Sequence, residues 1–279
     1  MRGTARNLLI NPLPKTIQNM TTIARPTTQL DSHWYYPDSR PCYELPKKDG
    51  SGVKVPTLAD ARKLNLLPSV TTVLKILDKP ELTNWKIEQA VLAVLTTPRN
   101  EGEQLDAYID RVLHVEKVQD QEAATARDQG TEIHAAMEDY FQGRELSEAI
   151  KPWVMPAALS LRPYGELVAT EKILVGPGYA GKTDLILNTA DCWWLWDFKA
   201  VKTLPPKWAW EEHVLQLAAY AKVWQSSVGS IKPVRTANLY ISRVECGKFL
   251  ICEHEPWQPA SAAFDHLLAV WQFQKKYVP

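Results

Sequence analysis

The chain has 279 residues, 45% of them apolar and 23% charged, ordinary proportions for a globular protein that buries a core in one large or two small domains. Its formal net charge is zero, which excludes the global basic field of a protein that coats nucleic acid, though not local charge in one cleft. No apolar run approaches the roughly 20 residues needed to span a bilayer. Four cysteines, at 42, 192, 246 and 252, lack a C-x-x-C pair. That usage suits a reduced, cytoplasmic setting. It supplies no four-thiolate set, so no iron–sulfur cluster is expected.

Residues 1–32 carry Arg2, Arg6, Lys15 and Arg25 and no acid before Asp31. This imitates a mitochondrial transit peptide, but Pro12, Pro14 and Pro26 interrupt it, and a flexible arm is the reading adopted. Residues 33–56 alternate aromatics with turn signals and predict a small strand pair around Lys47-Lys48-Asp49-Gly50. Residues 57–163 read as mainly helical. Thr57 caps a helix through Ala61, and Ser69 caps another through Leu77. Pro80 opens a third, with Ile87, Val91, Val94 and Leu95 at helical spacing. A longer helix or helix pair covers 119–142. Short β-rich segments follow at 169–175, 179–187 and 192–200. After them come a helix from about Lys207 to Trp224, strands at 235–242 and 248–254, and a helix over 259–276. The expected plan is therefore an arm at 1–32, a strand pair with a helical region at 33–163, and a core at 164–279.

The chemistry concentrates in CWWLWDFK, residues 192–199. With a period of two, Trp193, Leu195, Asp197 and Lys199 share one face, while Trp194, Trp196 and Phe198 take the other. An Asp-x-Lys ending an apolar strand is either a structural ion pair, which gains little stability when buried, or a site. The preceding strand adds Asp184. With a turn at 188–191, Leu187 pairs with Cys192, and Asp184 lies opposite Leu195, one diagonal step from Asp197. Two carboxylates beside a lysine suit a hard divalent cation, Mg²⁺ or Mn²⁺, bound through oxygen, with the lysine stabilising developing negative charge. His134, in DQGTEIHAAMEDYF, is either a packing residue or an imidazole ligand. Glu171 is either a further ligand or a solvated acid at a strand start. His213, Gln216 and Tyr220 share a helical face, as a reach toward the site or as an ordinary polar edge.

Five segments in order, GTEIH (130–134), EKIL (171–174), GKTD (181–184), DFK (197–199) and QLAAY (216–220), resemble the RecB-like branch of the PD-(D/E)XK nuclease superfamily. Upstream, LPSVTTVL (67–74) and NWKIEQA (84–90) resemble segments of phage exonucleases and of mitochondrial genome maintenance exonucleases. The resemblance implies an α/β fold with a central mixed sheet flanked by helices, preceded here by a helical extension. It makes Asp184 and Asp197 metal ligands, His134 the additional ligand, Lys199 the catalytic lysine, and Gln216 and Tyr220 a supporting catalytic motif. Thr183 stands where the superfamily's name has proline. The expected activity is metal-dependent DNA hydrolysis, with an exonuclease acting on single strands or free ends ahead of a structure-selective endonuclease. Candidate DNA contacts are Lys75, Lys86, Lys202 and Lys207 for the backbone and Trp208 and Trp210 for base stacking, with Trp85 read first as a core residue.

One rival comes from GPGYAGKT, residues 176–183, which matches the phosphate-loop pattern of an ATPase. That loop must open a helix. Here only Asp184-Leu185-Ile186-Leu187 precedes the next turn, too short for a parallel crossover. The other rival, an inactive DNA-binding scaffold, predicts a broken acid or lysine, and none is broken.

Overall fold

The computed structural model describes residues 33–205, 209–229 and 231–279, with side chains except at 81, 82, 85 and 113–127. The arm expected over 1–32, Lys207, Trp208 and the side chain of Trp85 lie outside the described residues. The first strands are two residues each: β1 (Trp34–Tyr35), β2 (Pro41–Cys42), β3 (Leu45–Pro46) and β4 (Val53–Lys54). β3 and β4 pair around the expected turn, and β1 lies between β2 and β5 (Leu67–Pro68).

Helix α1 (Leu58–Leu64) begins at a capping box. The Asp60 N–H donates to Thr57 Oγ1 at 3.3 Å, and the Thr57 N–H donates to Asp60 Oδ2 at 2.9 Å. These bonds satisfy donors that the helix itself cannot. Ser69 caps α2 (Val70–Leu74), shorter than expected, and Pro80 opens α3 (Pro80–Thr96). The apolar stripe of α3 is not buried: Ile87, Val91, Val94 and Leu95 are 58%, 53%, 48% and 75% exposed. α3 packs instead against α4 (Leu105–Phe141), turning the buried Ala93 inward. α4 begins fourteen residues before the expected start at 119 and runs for 37 residues.

After α5 (Lys151–Ser160) and a short 3-10 turn at Arg162–Tyr164, the chain builds a mixed sheet. Its strands are β6 (Glu166–Gly176), β7 (Tyr179–Asn188), β8 (Trp193–Val201), β9 (Val234–Ser242) and β10 (Phe249–His254). Their spatial order is β10-β9-β8-β7-β6, and every neighbouring pair is antiparallel except β8 with β9. That parallel pair needs a crossover, supplied by α6 (Glu211–Val228); α7 (Gln258–Lys275) ends the fold. The protein is therefore α/β, a five-stranded mixed sheet between two helical layers.

The period-two pattern of β8 decides which layer each residue meets. Trp194, Trp196 and Phe198 face Ile133 and Met137 of α4 and Val154 and Ala157 of α5. Leu195 and its neighbour Ile186 face α6 and α7. Trp194 and Trp196 stack at 5.6 Å between centroids, and Tyr164 stands edge-on to both. The small strands and α2 pack onto the same sheet and helices. The described residues from His33 onward accordingly form one compact unit.

The β7–β8 register differs from the expected one by two residues: Leu187 pairs with Trp194, not Cys192. A closed loop causes the difference, because the Thr189 N–H donates to the Cys192 carbonyl and the Cys192 N–H to Thr189 Oγ1, each at 3.0 Å. A shift of two keeps every side chain on its face. It brings Asp184 in line with Asp197 rather than Leu195. Residues 176–183 turn from β6 into β7, with Gly176 opposite Tyr179 and no helix after Thr183, so they lack phosphate-loop geometry. Among the described residues, no helix is long and apolar enough to cross a membrane.

Candidate active site

β7 and β8 separate after the pair Leu185–Trp196. Side chains fill the gap where backbone bonds stop. Thr183 Oγ1 donates to the Trp196 carbonyl at 2.9 Å, and the Phe198 N–H donates to Asp184 Oδ2 at 2.5 Å. The Asp184 carboxylate is therefore fixed inside the opening, and its Oδ1 takes no hydrogen bond from any described residue. From the α4 side, His134 Nδ1 lies 3.8 Å from Asp184 Oδ2. Its ring stands edge-on to Phe198.

Asp197 projects toward α6 and is 2% exposed. Lys199 Nζ lies 3.0 Å from Oδ1 and 2.8 Å from Oδ2. Gln216 Nε2 donates to Oδ1 at 2.9 Å, and Asn238 Nδ2 to Oδ2 at 2.8 Å. Gln216 also accepts from Lys199 through Oε1 at 3.1 Å and donates to Tyr220 Oη at 3.2 Å. Gln216 thus bridges the lysine and the aspartate, with buried Tyr220 behind it. Burial raises the pKa of Asp197, the adjacent Asp184 raises it further, and Lys199 opposes the shift. Ionised Asp197 is held at a cost that nearby positive charge offsets.

Asp184, Asp197 and His134 offer the oxygen and imidazole donors that suit Mg²⁺ or Mn²⁺. Among the described residues, no three His, Cys, Asp or Glu side chains are gathered into a ready-made cation cage. The reason is visible in the partners: Lys199 spans both oxygens of Asp197, and Glu171 pairs with Lys182. Glu171 sits at φ +50, a left-handed conformation rare for a non-glycine residue. The structure therefore ties the candidate ligand Glu171 to the lysine of the phosphate-loop pattern and not to the other acids.

The candidate DNA contacts are less concentrated. Lys75 ends α2, Lys86 lies on α3 and Lys202 follows β8, all exposed. Trp210, at the start of α6, is 44% exposed and stands edge-on to His213 and Tyr240. Tyr240 lies beside Lys199 in the β8–β9 ladder. Trp210 is thus the described aromatic candidate with a link to the site.

Sequence reading missed Asn238, Thr183 and the Phe198 amide. Asn238 had a usable signal, a polar residue inside the apolar strand VRTANLYIS, since buried amides need partners.

Burial lowers the pKa of His213 to about 3, helped by Lys199 and Lys79, and of His254 to about 4. Both rings are neutral when folded. Their contribution to stability is present above the unfolded value near 6.5 and is lost as pH falls below it toward 4. Asp197 runs the other way, because its raised pKa makes ionisation costly as pH rises. Asp60 and Glu103, held low by Lys54 and Arg111, lose their stabilisation only at more acid pH. The urea midpoint is therefore expected to fall between pH 7 and pH 5, and to fall less in His213→Gln. Equal midpoints in the two proteins at both pH values would remove His213 from this account.

No family model matches the chain, and no curated protein matches it. Among solved structures, one described as "Crystal structure of SSO0001" is similar at 14% identity with a TM-score of 0.27. That match covers 39% of this chain and spans about half, 51%, of the other.

Proposed function

We propose that this protein is a divalent-metal-dependent DNA nuclease of the PD-(D/E)XK type. The observation that carries the reading is the gap between β7 and β8. There Asp184 lies beside His134 and Asp197 beside Lys199, with the two aspartates close enough to influence each other electrostatically. An apolar core gains little from burying Asp197 and Lys199 together, whereas phosphodiester hydrolysis needs such a set. Asp184 and Asp197, with His134, would hold Mg²⁺ or Mn²⁺. When bound, the cation supplies Lewis-acid activation of water and phosphate.

The protein's own contribution is positioning. The Phe198 amide holds Asp184, and Gln216 and Asn238 hold Asp197. Lys199, oriented by Gln216, would supply a fixed ammonium to stabilise negative charge building on the phosphate. Trp210 offers a face for one base of an incoming strand, a contact worth about 1–3 kcal/mol. Zero net charge argues against holding duplex by broad phosphate neutralisation. With the likeness of 67–74 and 84–90 to exonucleases, it favours a free single-stranded end as substrate.

The test is a closed circular single strand beside its linear form, with Mg²⁺ or Mn²⁺ and with chelator. The linear strand is expected to be degraded and the circle spared, with all hydrolysis lost on chelation. Rapid nicking of the circle would replace the exonuclease by a structure-selective endonuclease. No hydrolysis of either, nor of linear or branched duplex DNA under the same conditions, would remove the nuclease reading.

A further inference from the structure

Asp197 has a second set of supporting partners, on β9 and β10. Asn238 lies opposite Asp197 in the parallel β8–β9 ladder and is fully buried. Its Nδ2 donates to Asp197 Oδ2 at 2.8 Å and to the Asp197 carbonyl at 3.2 Å. On its other side, Asn238 Oδ1 lies 2.8 Å from His254 Nε2 on β10. Thr236 Oγ1 donates to the His254 carbonyl at 3.0 Å, holding that residue in place.

An amide has two orientations, and these neighbours permit one. Rotated by half a turn, Asn238 would set its oxygen against a carboxylate oxygen and a carbonyl, three acceptors together. The acceptor atom Oδ1 in turn requires a proton on His254 Nε2. We propose that Asn238 and His254 are positioning residues that orient the Asp197 carboxylate toward a divalent cation, an inference that rests on the nuclease reading. His254 acts through the direction of its N–H, and Asn238 passes that direction to Asp197.

Two variants separate direction from bulk. His254→Leu fills the space without a donor, whereas His254→Gln can place a side-chain N–H near the same point. The full chain is titrated with Mn²⁺ alone by electron paramagnetic resonance. The Asn238 side-chain amide protons, assigned through Asn238→Leu, are followed by NMR. His254→Leu is expected to shift those protons and to weaken Mn²⁺ binding about 10- to 100-fold, the usual effect of losing an outer partner of a metal ligand. With DNA, the loss appears in kcat and not in KM. His254→Gln is expected to restore the amide protons and most of the affinity. Unchanged amide protons and Mn²⁺ affinity in His254→Leu, or a His254→Gln indistinguishable from it, would overturn the inference. A wild-type chain that neither binds Mn²⁺ nor cleaves DNA overturns the nuclease reading instead. The amide protons alone then decide whether His254 directs Asn238.

Discussion

Asp197→Asn is expected to lower kcat for DNA hydrolysis by about 10²-fold or more, the scale for removing a preorganised charged group. Lys199→Ala and Asp184→Asn should fall as far. Each Asp197 oxygen now faces donors, from Lys199, Gln216 and Asn238. In the variant an NH2 group meets one set of them, an uncompensated contact costing about 1–3 kcal/mol. The unfolding temperature should then drop by only several degrees. Assays well below that temperature therefore read chemistry. The three variants also differ in cation binding. Asp197→Asn and Asp184→Asn should lose Mn²⁺ affinity with activity, because they remove ligands. Lys199→Ala should keep that affinity or gain some, because the ammonium that spans both Asp197 oxygens is gone. Wild-type turnover by a folded Asp197→Asn would end this assignment.

Gly181→Ala should be nearly as damaging, although residue 181 has no side chain to contribute chemistry. A Cβ at Gly181 would lie 2.4 Å from Tyr220 Cε1 and 2.8 Å from its Oη. Carbon atoms do not approach so closely, and Tyr220 is 3% exposed, packed inside α6. The ring has nowhere to swing, so the strain must move α6 or β7. Overpacking of this kind costs about 1–3 kcal/mol. It also reaches the site, because Tyr220 backs Gln216, and Gln216 holds both Asp197 and Lys199. A displacement near 1 Å at that point can cost about 10²-fold in rate. The double variant Gly181→Ala, Tyr220→Phe removes the hydroxyl contact but leaves the ring clash, and should stay impaired. Gly181→Ala, Tyr220→Leu should recover stability. A fully active Gly181→Ala protein would show that α6 gives way freely, and that Gln216 is not held through Tyr220.

Local patterns in the sequence were enough to place most of the sheet. β6, β7 and β8 lie within a few residues of the expected segments, because alternation with a period of two and intervening turn residues are short-range signals. The same alternation put Asp197 and Lys199 on one face, and capping preference put Thr57 and Ser69 at the starts of their helices. The N-terminal half was less legible. Ile87, Val91, Val94 and Leu95 mark a helix correctly, but helical spacing does not say whether anything covers the stripe, and here it stays exposed.

The tertiary structure decided what meets what. Parity survived the two-residue error in the β7–β8 register, so faces were right while partners were wrong. A loop closed by the Thr189 side chain set the true pairing, and brought Asp184 into line with Asp197. Glu171 met Lys182, its diagonal neighbour across the β6–β7 ladder, and not the other acids. Asn238 and His254 gained their meaning only when β9 and β10 lay beside β8, which placed an amide oriented by an imidazole against a buried carboxylate. Sequence by itself determined residue types, periodicities and faces, because neighbours a few positions apart dictate them. Register, burial and hydrogen-bond partners depended on strands far apart in the chain, whose approach is set by loop conformation and packing.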